Sequence, residues 1–170
     1  MRLFYALEFD LVTKNLIALL QQDIASCCPK SVFSRTINLH LTLCFLGEVE
    51  GQHLPLLKEI LFSLEANPLQ VKFNQLGLFR KRQGDILWLG IAENKDLETL
   101  QKDLINKLRA KNFPLDDQNF HSHVTLARGT KCKNLPPIEA FDVQCKKITL
   151  MHSHQRQDDL TYTPLFTKQL

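Results

Sequence analysis

The stretch NLHLTLCFLGEV, residues 38–49, contains His40-Leu41-Thr42-Leu43, and NFHSHVTLARG, residues 119–129, repeats the pattern as His123-Val124-Thr125-Leu126. Each reads as a β-strand. Leu41, Leu43 and Phe45 alternate with His40, Thr42 and Cys44, and Val124 and Leu126 alternate with His123 and Thr125. Side chains along a strand point alternately to opposite faces. A His and a Thr two residues apart therefore emerge on one side, with an apolar row behind them for a core. Two such strands facing each other would bring two imidazoles and two hydroxyls into one groove, which equips it to attack a phosphate ester without a metal. A lone strand histidine is most often a hydrogen-bonded structural residue. The same pair on two apolar strands, 83 residues apart in a chain of 170, points instead to a shared site.

The chain is 44% hydrophobic and 23% charged, long enough for one compact unit or two small lobes sharing a cleft. No stretch approaches the roughly 20 uninterrupted apolar residues that span a bilayer. The start, MRLFYALEFD, lacks the basic start, apolar run and small-residue cleavage site of a signal peptide, so a cytoplasmic location is expected. A net charge of +3, from 21 basic and 18 acidic residues, does not by itself argue for nucleic-acid binding. It is compatible with a small anion or an RNA end. The five cysteines are Cys27, Cys28, Cys44, Cys132 and Cys145; their odd number, the adjacent pair and the placing of Cys44 in a strand argue against a disulfide framework. Cys132, Cys145, His152 and His154 could be imagined around zinc, but no CxxC pair accompanies them and no metal is expected.

Working outward, residues 2–9 read as a strand, and Asp10 suits a helix N-cap ahead of Val12, Leu16, Leu19 and Leu20. A loop is expected from Cys27 to Ser34. A helix over about residues 52–66 would turn Leu54, Leu57, Leu61 and Leu64 to one face, with Pro55 in its first turn. Strands follow at 69–79 and 85–92, joined by Arg80-Lys81-Arg82-Gln83-Gly84, which reads as a solvated hairpin turn or as a phosphate contact at the cleft rim. Asn94 or Asp96 caps a helix to about 111, with Leu97, Leu100, Leu104 and Leu108 at helical spacing. After the second motif strand come a loop from Lys131 to Pro137 and strands at about 141–151 and 160–167. This order suggests a degenerate duplication with one motif per half, and the mixture of elements points to an α+β fold.

At these residues the chain resembles the 2H phosphoesterase superfamily, and within it the RNA 2′,3′-cyclic phosphodiesterases, also called 2′-5′ RNA ligases. Beyond the two motifs, MRLFYALEF is similar to the family's first strand, QLGLFRKRQGDILWLGI to its central Gly-x-Phe and Leu-Trp-Leu-Gly segment, and DLTYTPLFTKQL to its closing Tyr-x-Pro-Leu stretch. One position departs: Ser122 stands where the family usually has Pro, which would fix φ and remove a backbone donor.

The resemblance implies a single bilobal domain over 1–170. It would have two pseudo-symmetric lobes, each a mainly antiparallel sheet with outer helices, facing across a central groove. It implies metal-independent hydrolysis of RNA 2′,3′-cyclic phosphate ends to 2′-phosphomonoesters by two-histidine acid/base catalysis. His40 would be the proton donor and His123 the acceptor, with Thr42 and Thr125 binding the phosphate. An unperturbed imidazole titrates near pH 6.5 and serves either role, so the residues alone do not order the pair. Arg128, as the family's Leu-Ala-Arg arginine, is a further phosphate candidate despite its opposite strand parity. His121, with the parity of His123, is another groove candidate. Trp88 and Phe4 read as core, and Tyr162 and Pro164 as structural. No cofactor is expected, and the chain is expected to be monomeric. Its partners would be RNA with 2′,3′-cyclic phosphate ends or small cyclic nucleotides such as those of ADP-ribose. The alternatives are a small-nucleotide cyclic phosphodiesterase, 2′-5′ ligation or cleavage, and an RNA-end binding module with vestigial turnover.

Overall fold

The computed structural model describes residues 1–115, 120–132, 134–157 and 159–170, so Lys133 in the expected loop lies outside it. The elements run β1 (Arg2–Glu8), α1 (Leu11–Ile24), β2 (Val32–Phe33), β3 (His40–Glu48), α2 (Leu54–Ser63), β4 (Leu69–Phe79) and β5 (Asp85–Ile91). They continue with α3 (Lys95–Ala110), β6 (His123–Thr130), β7 (Phe141–Cys145), β8 (Lys147–Arg156) and β9 (Asp159–Gln169). The strands form one curled antiparallel sheet in the order β7-β4-β5-β6-β3-β1-β8-β9, with the short β2 lying beside β6.

Two four-stranded groups make the two expected lobes. One holds β1, β3, β8 and β9; the other holds β4 to β7. They meet where β3 pairs with β6. The lobes are not the two halves of the chain, because β8 and β9 return to the lobe of the first motif. The single strand expected over 141–151 is therefore two strands broken at Lys146. β7 closes one end of the sheet against β4, whereas β8 pairs with β1.

Helices cover the apolar face. Asp10 caps α1 by accepting from the Thr13 N–H at 2.8 Å, and Asn94 caps α3 by accepting from the Leu97 N–H at 2.9 Å, each satisfying a donor with no partner inside its helix. In α3 the four predicted leucines are all buried, and α2 buries Leu57, Ile60 and Leu61. The α1 helix is turned about its axis relative to its periodicity. It buries Thr13, Ile17, Gln21 and Ile24 and leaves Val12, Leu16 and Leu19 exposed. The Gln21 amide explains the turn: it donates to the carbonyls of Ser34 and Leu126 at 3.0 and 2.9 Å, docking the helix onto β6 through hydrogen bonds. Among the described residues no helix is long and apolar enough to cross a membrane.

Contrary to expectation, Cys28 and Cys132 form a disulfide across 104 residues. The pairing of β2 with β6 brings the two segments together, a proximity that cysteine spacing does not reveal. Cys27 is free and exposed, and Cys44 and Cys145 are free and buried.

Candidate active site

The geometry of the site follows from one register. Leu41 on β3 lies opposite Val124 on β6, both fully buried. Continued by one residue in each direction, this antiparallel register sets His40 against Thr125 and Thr42 against His123. Residues opposite each other share a face, so all four motif side chains leave the sheet on the side away from the core. All four line one cavity of about 580 Å³.

Each imidazole is held in the same way. His40 Nδ1 lies 2.6 Å from the carbonyl of Asn38, and His123 Nδ1 lies 2.6 Å from the carbonyl of His121. A carbonyl only accepts, so Nδ1 carries the proton in both rings, and in the neutral form Nε2 presents a bare lone pair. Aromatic walls fix the ring planes. Phe4 and Tyr162 flank His40, with ring centroids at 4.8 and 5.0 Å, and Phe79 stands edge-on to His123 at 5.0 Å. The Thr42 hydroxyl lies 3.0 Å from His40 Nε2 and donates to it when the ring is neutral.

Burial pushes His40 down to about 4, against the opposing pull of its bond to Asn38, with the charges of Lys14, His123 and Arg128 adding to the depression. Burial also lowers His123, and His121 and Arg128 reinforce it. Both rings are therefore neutral at pH 7 in the unliganded groove.

Strand parity fails in the same place after each motif. Opposite β1, Ala6 pairs with Thr42 but Tyr5 with Cys44, leaving Leu43 as an extra residue. Opposite β5, Trp88 pairs with Thr125 but Leu87 with Ala127, leaving Leu126 as an extra residue. Each is a β-bulge, which re-aims the side chains beyond it. Leu43 and Cys44 are consecutively buried, as are Leu126 and Ala127, so Phe45 and Arg128 swing back into the cavity. The expectation that Phe45 joins the core and Cys44 the groove is thereby reversed: Phe45 is 47% exposed and Cys44 is buried. The Leu126 carbonyl at the second bulge is satisfied by the Ser34 N–H at 2.8 Å and by Gln21.

Of the other predicted residues, Arg128 lies in the cavity, and its positive charge opposes the rise that burial gives the Tyr162 phenol. His121 does not line the cavity. Its ring packs against Trp88 and Phe79 on the rim, and its carbonyl, not its imidazole, serves the site by holding His123. Phe4 is buried as expected, in a small cluster with Ala6 and Met151, and also lines the cavity; Tyr162, expected to be structural, packs on that cluster and is part of the cavity wall. Arg2 was not anticipated at all; it stands over the Phe45 ring at 5.0 Å from its centroid. Its alternation with Phe4 was the available signal. The Ser122 carbonyl accepts from the Ile91 N–H at 3.4 Å. No three His, Cys, Asp or Glu side chains among the described residues are grouped as metal ligands.

Comparison with known proteins follows the same line. Residues 14–156 match the family model described as the 2′-5′ RNA ligase superfamily. An RNA 2′,3′-cyclic phosphodiesterase of Methanocaldococcus jannaschii is 32% identical over 130 residues, covering 75% of this chain and 71% of that protein. A protein of the same name from Archaeoglobus fulgidus is 29% identical over 135 residues, covering 79% and 75%. In fold, the chain is similar to E. coli LigT in its crystal structure with 3′-AMP, with a TM-score of 0.87 at 23% identity over 99% of this chain and 97% of that one.

Proposed function

Because the chain belongs to the 2′-5′ RNA ligase superfamily, we propose that it hydrolyses 2′,3′-cyclic phosphate ends of RNA to 2′-phosphomonoesters. The observation that carries this reading is the placing of His40, Thr42, His123 and Thr125 on one face of one cavity, with both Nδ1 atoms engaged by carbonyls. The reaction needs a base at the attacking water and an acid at the departing 3′ oxygen. His123 Nε2 takes the proton from water as its oxygen bonds to phosphorus. Protonated His40 gives its Nε2 proton to the 3′ oxygen as the P–O bond breaks. Each such transfer contributes roughly 10²–10⁴-fold.

The Thr42 and Thr125 hydroxyls donate to the non-bridging oxygens, where charge develops, and Arg128 adds a fixed positive charge. His40 must be protonated to act, although burial disfavours its charge. An anionic phosphate beside Nε2 supplies the compensating charge and raises its pKa on binding. The two imidazoles perform both proton transfers, so the mechanism requires no metal-bound water. The cavity volume of about 580 Å³ suits one nucleotide and supports cyclic mononucleotides as a second substrate class.

The test is turnover of a 2′,3′-cyclic-ended oligonucleotide in excess EDTA, with the product identified. A 2′-phosphate formed at an undiminished rate is expected. Loss of turnover restored by a divalent ion would overturn the metal-free mechanism, and a 3′-phosphate product would overturn the assignment of the leaving oxygen.

A further inference from the structure

The face that carries His123 and Thr125 continues away from the cavity as a group of rings. Thr125 lies opposite Trp88 and Trp88 opposite Gly77, so Trp88 and Phe79 share the face of the motif residues. The Trp88 indole lies across Gly77, in space that a Cβ there would fill. Phe79 packs on Trp88 at 5.4 Å between ring centroids, and the exposed His121 stands edge-on to both at 4.7 and 5.2 Å. These three rings lie outside the cavity lining but border it through His123.

Directly after Phe79 the chain enters the turn with Arg80, Lys81 and Arg82, all exposed. Asp85 fixes this turn by accepting from the Arg80 guanidinium and the Lys81 N–H, and Gly84 packs closely on Gly129, next to Arg128. On the opposite cavity wall Arg35 is engaged by Asp159 at 2.9 Å, and Arg2 stands over the Phe45 ring.

A cavity suited to one nucleotide obliges the rest of an RNA chain to leave over a rim. Rings receive bases by stacking without regard to sequence, and cations follow the phosphates between them. We propose that the Phe79–Trp88–His121 cluster and the Lys81–Arg82 turn form a track for the single-stranded RNA immediately 5′ of the cyclic phosphate. The protein then acts on polynucleotide ends in preference to cyclic mononucleotides. This deepens the reading above and rests on the cavity being where the cyclic phosphate is held.

The test compares kcat/KM on a six-nucleotide RNA ending in a 2′,3′-cyclic phosphate with that on the corresponding cyclic mononucleotide. The variants are K81E/R82E and His121→Ala, and binding of a labelled six-nucleotide RNA with a 2′-phosphate end is measured in parallel. Wild type should favour the oligonucleotide. K81E/R82E should lower oligonucleotide kcat/KM about tenfold and flatten its salt dependence, while mononucleotide turnover stays within twofold. His121→Ala should weaken oligonucleotide binding roughly 5- to 150-fold, as for one lost stacking partner. Equal oligonucleotide-to-mononucleotide ratios in wild type and K81E/R82E would overturn the track. Absence of turnover on both substrates would overturn the proposed reaction instead, and the binding measurement would still decide whether the track exists.

Discussion

Phe45 and Arg128 occupy equivalent places, each five residues after its motif histidine and each returned to the cavity by a bulge. The two lobes thus supply matching His/Thr pairs but unlike residues at this place, a phenyl ring with Arg2 over it in one and the Arg128 guanidinium in the other. The pseudo-symmetry is broken where a phosphodiester and its nucleoside would need to be told apart.

Arg128→Ala should lower kcat/KM on a cyclic phosphate by roughly 10- to 100-fold, the range for losing one charged hydrogen-bond donor. Arg128→Lys should restore only part of it, because an ammonium keeps the charge without the planar fork. Steady-state kinetics of both variants measure this. Full activity in Arg128→Ala would remove the residue from the site.

The pH dependence follows from burial of the two rings. Two-histidine catalysis would need one imidazole neutral and one protonated, and both pKa values lie below 6.5 in the free protein, His40 at about 4. The bell in kcat/KM, which reports the free enzyme, should therefore lie below pH 6.5. The bell in kcat should be displaced upward, because the bound anion favours both imidazolium forms. Stability has the matching sign. His40 is harder to protonate folded than unfolded, so its contribution is complete above pH 6.5 and is lost as pH falls from 6.5 toward 4, by up to about 3 kcal/mol. Denaturant titrations of wild type and His40→Gln between pH 7 and 4 check this; identical slopes in the two would contradict it.

Gly77 is the position where the β4–β5 pair can least accept a side chain, because the only tryptophan lies over it. Gly77→Ala should displace Trp88 and loosen the wall of His123. Overpacking of this kind costs about 1–3 kcal/mol. The intrinsic fluorescence of Trp88 reads the displacement directly, and an unchanged spectrum with unchanged stability would contradict this packing.

Much of this was legible in the sequence because it rests on short-range periodicity. The alternation of His40, Leu41 and Thr42, and of His123, Val124 and Thr125, gives both strands and the shared face. The leucines of α3 give its buried side. What was not legible depends on long-range partners. The bulges at Leu43 and Leu126 appear only against β1 and β5, so alternation alone puts Phe45 on the wrong face and hides the way Arg128 reaches the cavity. The turned face of α1 depends on carbonyls of Ser34 and Leu126, and the Cys28–Cys132 bond on the pairing of β2 with β6. Each requires knowing which distant backbone is adjacent.

The central claim is that His40 and His123 together carry out one phosphoester hydrolysis, and single-turnover rates on a 2′,3′-cyclic-ended oligonucleotide test it most directly. His40→Ala and His123→Ala should each lower the rate by roughly 10²–10⁴-fold, with the proteins still folded. Thr42→Ala and Thr125→Ala should cost less, since the proton transfers remain. The double histidine variant should fall well short of the product of the two single losses, because groups acting as a unit are not additive. A His123→Ala protein that retained near-normal turnover would contradict the account.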